Sequence, residues 1–393
     1  MKPPEDLMSE KKRGPILLHN VLFMLLNPLA ALIFTPIYFM NHSLTWGLVA
    51  FLAITYTISN MVITVGYHRY FSHRSFNAHP IVEFLFVLVG AGSFQGSVLQ
   101  WCSDHRRHHR EVDTDADPYS INKGFMFAHI FWMFFKDPHP EAGIYPKDLM
   151  KSKAIVFQHK YYAWIAAFMG FILPGIIAHF LGFGFWGGVI IGGSLRIFLS
   201  QQSTFLINSA AHTFGKRPYT DKNTARDSFI LAFLTFGEGY HNFHHFFQAD
   251  YRNGVRWYQW DPTKWFIRSL SFVGLTTKLK RARKEEIFKA RISMDEKLLV
   301  QKGACIDRTA QLKARMVEAQ AKIKQLGDDY HAAVASFREK RKLMTEEMRE
   351  QMRTQLQKLK RTKKVELRLA KTEFAVAYTQ WREFRREPHK AAA

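Results

Sequence analysis

Nine of the 18 histidines stand at spacings that can do coordination chemistry. His68-Arg-Tyr-Phe-Ser-His73 holds two, His105-Arg-Arg-His108-His109 three, and His241-Asn-Phe-His244-His245 three more. The last two clusters share the spacing i, i+3, i+4, which puts three side chains on one face of a helix. Each can therefore aim three imidazoles at one point. Asn208-Ser-Ala-Ala-His212 supplies the ninth ring. Nine imidazoles are too many for one ion and suit two. Imidazole binds zinc, copper, nickel and iron, so the rings alone leave the metal open. A single histidine at the end of an apolar segment is usually a packing or headgroup residue; three clusters and a fourth ring on one predicted face read as a metal site. The other nine (His19, His42, His79, His129, His139, His159, His179, His331 and His389) are scattered and read as structural.

The elements that must position these rings are apolar. Four segments are long enough to span a bilayer, which takes about 20 residues: 17–40, 44–66, 161–181 and 185–207. They form two hairpins, joined near Asn41–Ser43 and Gly182–Gly184, and neither joint carries Lys or Arg. Every basic cluster lies at the other ends. By the positive-inside rule both hairpins dip from the cytoplasm, which leaves both termini and the histidines on the cytoplasmic side. The stretch 81–101 is interrupted by Gly90, Gly92, Gln95 and Gly96 and reads as a buried or re-entrant helix. Arg196 falls about halfway along the fourth span, where an ionisable residue is a functional flag; a buried structural pairing is the plainer reading.

Residues 1–15 show no signal-peptide pattern and read as a cytosolic segment, followed by a membrane domain over 16–275. From 276 to 393 the chain is a basic extension. Leu312, Met316, Ala319, Ile323, Leu326, Tyr330, Ala333 and Phe337 follow a heptad seam, which Met344, Met348, Met352, Leu356 and Leu359 continue after a stutter near Arg341. This predicts a long helical or coiled-coil extension, either packed on itself or joining copies of the chain. Net charge is +22, and 30 Lys/Arg against 16 Asp/Glu over 280–393 place +14 of it there. Such charge beside a membrane suits anionic lipid; nothing in the sequence points to nucleic acid. Two cysteines, Cys102 and Cys305, exclude a disulfide framework or a cysteine zinc site. The expected fold is an all-α integral membrane protein: four transmembrane helices in two hairpins under a helical cytosolic cap, with the C-terminal extension.

The histidine boxes resemble those of the membrane fatty acid desaturases, most of all the delta-9 stearoyl-CoA desaturase-like branch. The similarity covers about 16–275. It includes Asp113-Thr-Asp-Ala-Asp117-Pro118-Tyr119, Arg217-Pro218-Tyr219 and Gly237-Glu238-Gly239-Tyr240 before the last box. The resemblance implies a mushroom shape with a di-iron centre (two Fe2+) in the cap. It implies one iron on His68, His105, His109 and His244, with Asn208 reaching it through water. The other iron would sit on His73, His108, His212, His241 and His245. It also implies a kinked acyl tunnel lined by Gln95, Trp101, Thr204 and Phe205, the last usually Trp in the family. An Asn and an Arg that hold coenzyme A in animal relatives fall at Gly96 and Ser103 here, whereas Asp104 is retained. Acyl-CoA, acyl carrier protein and membrane lipid each fit as the acyl carrier.

The implied reaction is oxygen-dependent desaturation of a long saturated acyl chain, delta-9 and acyl-CoA in type. No side chain can break an unactivated methylene C–H bond, so metal-activated O2 must do so. A metal-bound histidine usually donates its other N–H to a carboxylate or carbonyl; Asp104, Asp113, Asp117 and Glu238 are candidates. No His-Pro-Gly-Gly of a fused cytochrome b5 and no cysteine cluster is present, so a separate donor of the cytochrome b5, ferredoxin or rubredoxin type is expected. The alternatives are a di-iron hydroxylase of a lipid or alkane, and a non-catalytic membrane scaffold.

Overall fold

The computed structural model describes residues 14–340 and 345–386. The expectations for most of 1–15, for Arg341 and Met344 and for His389 fall outside the described residues. The chain divides into two compact units at Ala282/Arg283. The boundary lies beyond 276 because 276–282 belongs to the first unit. Strand β1 (Asn77–Ala78) pairs antiparallel with β2 (Thr276–Thr277), Asn77 opposite Thr277. Lys280 N then donates to Ser75 O at 2.8 Å, and Ala282 N to Asp250 Oδ2 at 2.9 Å.

The first unit is helical apart from that two-stranded ladder. Three of its helices are long and apolar enough to cross a membrane: α1 (Leu18–Asn41), α2 (Trp46–Ser72) and α5 (Tyr162–Phe180), the label following α3 and α4 below. Only Asn27, Ala31 and Tyr38 of α1 are buried, while Leu25, Leu29, Leu32 and Ile33 stand exposed. An aliphatic surface of that extent needs lipid over it. Thr45 caps α2 by accepting from Leu48 N at 3.2 Å.

The fourth segment is also one continuous helix, α6, over 185–208. Its half from Arg196 carries Ser200, Gln201, Gln202, Ser203 and Thr204, so its composition does not match the other three. Arg196 is buried and pairs with no carboxylate among the described residues. It donates to the carbonyls of Gly92, Gly170 and Gly192 and to Ser59 Oγ at 2.7–3.0 Å. It thereby joins α2, α5 and α6 to the end of α3 (Pro80–Ala91).

The stretch 81–101 is not one helix. α3 ends at Ala91, and α4 (Val98–Glu111) begins after a turn in which Phe94 and Gly96 take positive φ. Gly96 supplies φ +89, a conformation that costs glycine little. Ser97 then forms a capping box with Gln100, which satisfies the first free N–H groups of α4 and starts the helix that carries His105, His108 and His109.

The second unit consists of α9 (Lys284–Gln301), α10 (Ile306–Lys340) and α11 (Glu346–Arg386), numbered after α7 and α8 given below. The two stretches of apolar periodicity are carried by separate helices, one ending at Lys340 and the other beginning at Glu346. α10 and α11 run antiparallel, with Lys322 facing Glu373 at 3.2 Å and Lys363 facing Asp329 at 3.6 Å. Leu312 and Met316 of the heptad seam pack with Ala377, Trp381 and Phe384 of α11 and Ile292 and Leu299 of α9, and Ala319 is buried as well. Burying side chains of this size stabilises by about 1.5–3 kcal/mol each. This end of the seam is used within the chain.

Candidate metal centre

Four stretches deliver the nine rings. His68 lies in the last part of α2, Val62–Ser72, which is wound as a π-helix, and His73 caps it. An i→i+5 helix brings residues five apart nearly onto one face. His73 N donates to His68 O at 3.1 Å, and their ring centroids are 4.7 Å apart. In an α-helix a five-residue spacing would have splayed them. α4 contributes His105, His108 and His109, and the turn Ala210–Thr213 contributes His212. The short helix α7 (His241–Phe246) contributes His241, His244 and His245. All are buried except His73, which is partly so.

The rings form two groups. His68, His73, His105, His109 and His244 make one, and His108, His212, His241 and His245 the other; within each, the ligating nitrogens lie within 4.8 Å of one another. The π-helical turn holds His73 beside His68 in this grouping, whereas the resemblance implies a place with His108. His73 Nε2 is 2.8 Å from His105 Nε2.

Every ring turns its Nε2 inward. His68 Nε2 is 3.0 Å from His244 Nε2, which is 2.9 Å from His109 Nε2. His241 Nε2 is 3.1 Å from His212 Nε2 and 3.0 Å from His245 Nε2, and the latter is 3.3 Å from His108 Nε2. The outer nitrogens explain why. His108 Nδ1 is 2.9 Å from Asp117 Oδ1, and His68 Nδ1 is 2.9 Å from Glu238 Oε2. An ionised carboxylate can only accept, so His108 Nδ1 carries the hydrogen and its Nε2 keeps a lone pair; Glu238 lies against the outward nitrogen of His68 at ion-pair distance. His212 Nδ1 is 2.7 Å from Thr224 Oγ1, whose own hydrogen goes to Asp113 Oδ1 at 2.7 Å. That hydroxyl must accept from His212, so its Nε2 is a lone pair as well. His105 Nδ1 is 3.2 Å from Tyr119 OH.

Lone pairs this close and buried repel unless a cation lies between them, so the donor set fits two metal ions. Burial, and then the neighbouring rings, push His73, His105, His109, His241, His244 and His245 well below the usual imidazole range; the same causes push His212 to about 3. Neutral imidazoles are the metal-binding form.

Glu238 sits in a rigid frame. Gly237 has φ +101, and a Cβ on Gly239 would collide with the Ala232 backbone. The carboxylate accepts from Arg69 NH2 at 2.9 Å and from Asn253 Nδ2 at 2.6 Å. Arg69 also donates to Asp261 and to Tyr251 O, and Asp261 caps α8 (Pro262–Phe272). Burial raises the Glu238 pKa, but His68 and Arg69 outweigh it and hold the group at about 2. Arg69, Tyr119 and Thr224 escaped the sequence reading. An arginine directly after a ligand, with no known partner, gave no signal; Thr224 is visible only once 211–227 folds back.

A cavity of about 1710 Å³ reaches His68 and His105. Gln95, Trp101, Asp104, Thr204 and Phe205 all line it, as does Asn208. Gln95 donates to Thr204 Oγ1 at 2.9 Å and accepts from Trp101 Nε1 at 3.4 Å. Asp104 meets no histidine; it lies 3.6 Å from Arg107, which also bonds Asp137. Ser103 is occupied by Ile144 O at 2.7 Å, and Gly96 N donates to Tyr162 OH at 3.0 Å.

A family model described as fatty acid desaturase matches residues 17–271. Acyl-CoA desaturase 1 of Saccharomyces cerevisiae is 41% identical over 253 residues, 64% of this chain and 50% of that protein. The probable acyl-CoA desaturase of Schizosaccharomyces pombe is 42% identical over 250 residues, 63% of this chain and 52% of its own length. The sn-1 stearoyl-lipid 9-desaturase of Anabaena variabilis is 35% identical over 250 residues, 63% of this chain and 89% of that protein. The match thus spans about half the length of the two yeast relatives.

Proposed function

Because this chain belongs to the fatty acid desaturase family, we propose that it is a membrane enzyme that desaturates long saturated acyl chains, delta-9 in position and acyl-CoA in carrier. The observation that supports this most is the pairing of two inward-facing imidazole groups with a cavity that reaches them. In this reading four helices, α1, α2, α5 and α6, cross the bilayer. The histidines, both termini and a helical cap lie on the cytoplasmic side.

Iron is the metal that suits both family and chemistry. His68, His73, His105, His109 and His244 would hold one ion. His108, His212, His241 and His245 would hold the other. Asn208, which lines the same cavity as His68 and His105, would reach the first ion through a water. When bound, the iron pair supplies O2 activation for removal of two hydrogens from adjacent methylenes. O2 takes those hydrogens with two further protons and two external electrons, giving two waters.

The chain's own residues do the rest. Asp117 fixes the Nδ1–H of His108, Thr224 with Asp113 fixes that of His212, and Glu238 lies against the outward nitrogen of His68, so that the lone pairs point one way before metal arrives. Gln95, braced between Thr204 and Trp101, bends the cavity wall beside His68 and His105 and would set which methylenes stop there. A saturated chain offers no polar handle, so cavity shape must carry regioselectivity. Phe205 and Trp101 keep water away from the reacting carbons. Asp104, beside Arg107, would face the carrier end. Electrons would come from a separate cytochrome b5, ferredoxin or rubredoxin type of protein, drawn to a basic cytosolic surface.

Expression in a desaturase-deficient host, followed by gas chromatography of total fatty acids, tests the proposal. A new 9-monounsaturated acid that disappears in His105→Ala is expected. Recovery of hydroxylated lipid alone, or an unchanged profile with two irons bound, would overturn it.

A further inference from the structure

The second unit has a surface that desaturation does not use. On α11 the inward face is filled by Ala370, Ala377, Trp381 and Phe384. The outward face carries an aliphatic ridge: Val365 is 60% exposed, Leu369 59% and Val376 53%. These positions recur at helical spacing and so lie on one stripe. Lys358, Arg361, Lys364, Arg368 and Lys371 stand on or beside it, all exposed. None of the five has an acidic partner among the described residues. The acids of the same stretch, Glu366 and Glu373, are turned to Lys363 and Lys322. A shallow groove of about 470 Å³ bounded by Arg368, Lys371, Thr372 and Val376 runs along the stripe.

We infer that this face of α11 is a docking surface for an anionic lipid bilayer. An aliphatic ridge with cations at its flanks is the pattern of a helix lying in the headgroup region, where apolar side chains dip and Lys and Arg meet lipid charge. The other occupants fit less well. A second copy laid on the stripe by a two-fold axis would set the same five cations against one another. Nucleic acid without sequence preference uses exposed aromatics for base stacking, and Phe374, Tyr378, Trp381 and Phe384 lie on the buried or half-buried side of this helix. The chain also carries helices of membrane length, so a bilayer is always within its reach. The inference stands apart from the proposed reaction and does not depend on it.

The test uses the full chain in nanodiscs. Cys305→Ser removes the exposed thiol, Cys102 is buried, and Thr372→Cys carries an environment-sensitive fluorophore beside the ridge. The apolar shift in emission should favour discs containing phosphatidylserine over phosphatidylcholine discs by about ten-fold in bound fraction, and it should vanish in about 0.5 M salt. Reversing four charges (R361E, K364E, R368E, K371E) should bring that ratio to about one. The charge-reversed chain should keep its far-ultraviolet dichroism, because all four side chains are exposed. Should that variant not fold, the salt series on the unreversed chain decides alone. Equal shifts in both discs, a shift that grows with the number of chains per disc, or no shift at all would each overturn the inference.

Discussion

Glu238 Oε2 and His68 Nδ1 lie 2.9 Å apart, which sets a buried anion against the nitrogen of His68 that faces away from the other rings. The carboxylate is itself held by Arg69 at 2.9 Å, and Arg69 is the residue next to His68. One buried anion therefore ties a ligand to its own backbone neighbour and to Asp261 at the head of α8.

Glu238→Gln should weaken iron retention by about 10–100-fold, the usual effect of removing a group that orients a ligand. It leaves Arg69 with Asp261 as its remaining carboxylate and should also lower stability. Iron per chain after a chelator challenge, read beside the melting temperature, checks it; full retention would contradict the role given to Glu238.

The two ring groups predict separable loss of metal. His212→Ala with His241→Ala should leave about one iron per chain, as should His105→Ala with His109→Ala, because each pair removes half or nearly half of one donor set. Metal analysis of both double variants decides. If either lost both ions, the groups would not be independent sites.

Metal-free protein should become less stable as pH falls. His212 is held near 3 in the folded chain, whereas a free imidazole titrates near 6.5. Below about 6.5 the unfolded chain takes up protons that the folded chain refuses, so the stability present above that value is lost as pH drops toward 3, by about 1.4 kcal/mol per pH unit for each such ring. The stripped protein in detergent should melt lower at pH 5.5 than at pH 7.5. A midpoint that held or rose would contradict the neutral, buried rings.

Arg196→Met should destabilise the first unit by several kcal/mol without touching a ligand. The carbonyls of Gly92 and Gly170 would lose a charged donor inside the protein, and each unsatisfied group costs about 1–3 kcal/mol. A melting temperature within a degree or two of the parent would show that these bonds contribute little.

Removal of 283–393 should leave two irons per chain and most of the activity, since all nine rings and their holding groups lie before Ala282. Trp381→Ala should unfold the α10–α11 packing, at about 3–5 kcal/mol, with iron content unchanged. Loss of metal in the truncated chain would show that the second unit supports the site.

Much of this was legible because the signals are local. Spacing alone placed His105, His108 and His109 on one helical face, and long apolar runs marked α1, α2 and α5. The resemblance implies His73 beside His108, whereas the structure groups it with His68. The spacing itself was the clue, since five residues suit the π-helix that Val62–Ser72 adopts. The stutter near Arg341 hid a reversal of direction, because a heptad pattern reports which face is apolar and not which way the next helix runs. Thr224 and Tyr119 could not be read, since their partners are set by how loops fold back.

α2 runs unbroken from Trp46 to Ser72, 27 residues, and ends on two ligands. At about 1.5 Å per residue it is about 40 Å long, some 10 Å more than a hydrocarbon core. No loop separates the lipid-covered stem from His68, so nothing in between can absorb a displacement. The helix is a lever arm: when the thickness of the surrounding lipid changes its tilt, the imidazoles at its tip must travel with it.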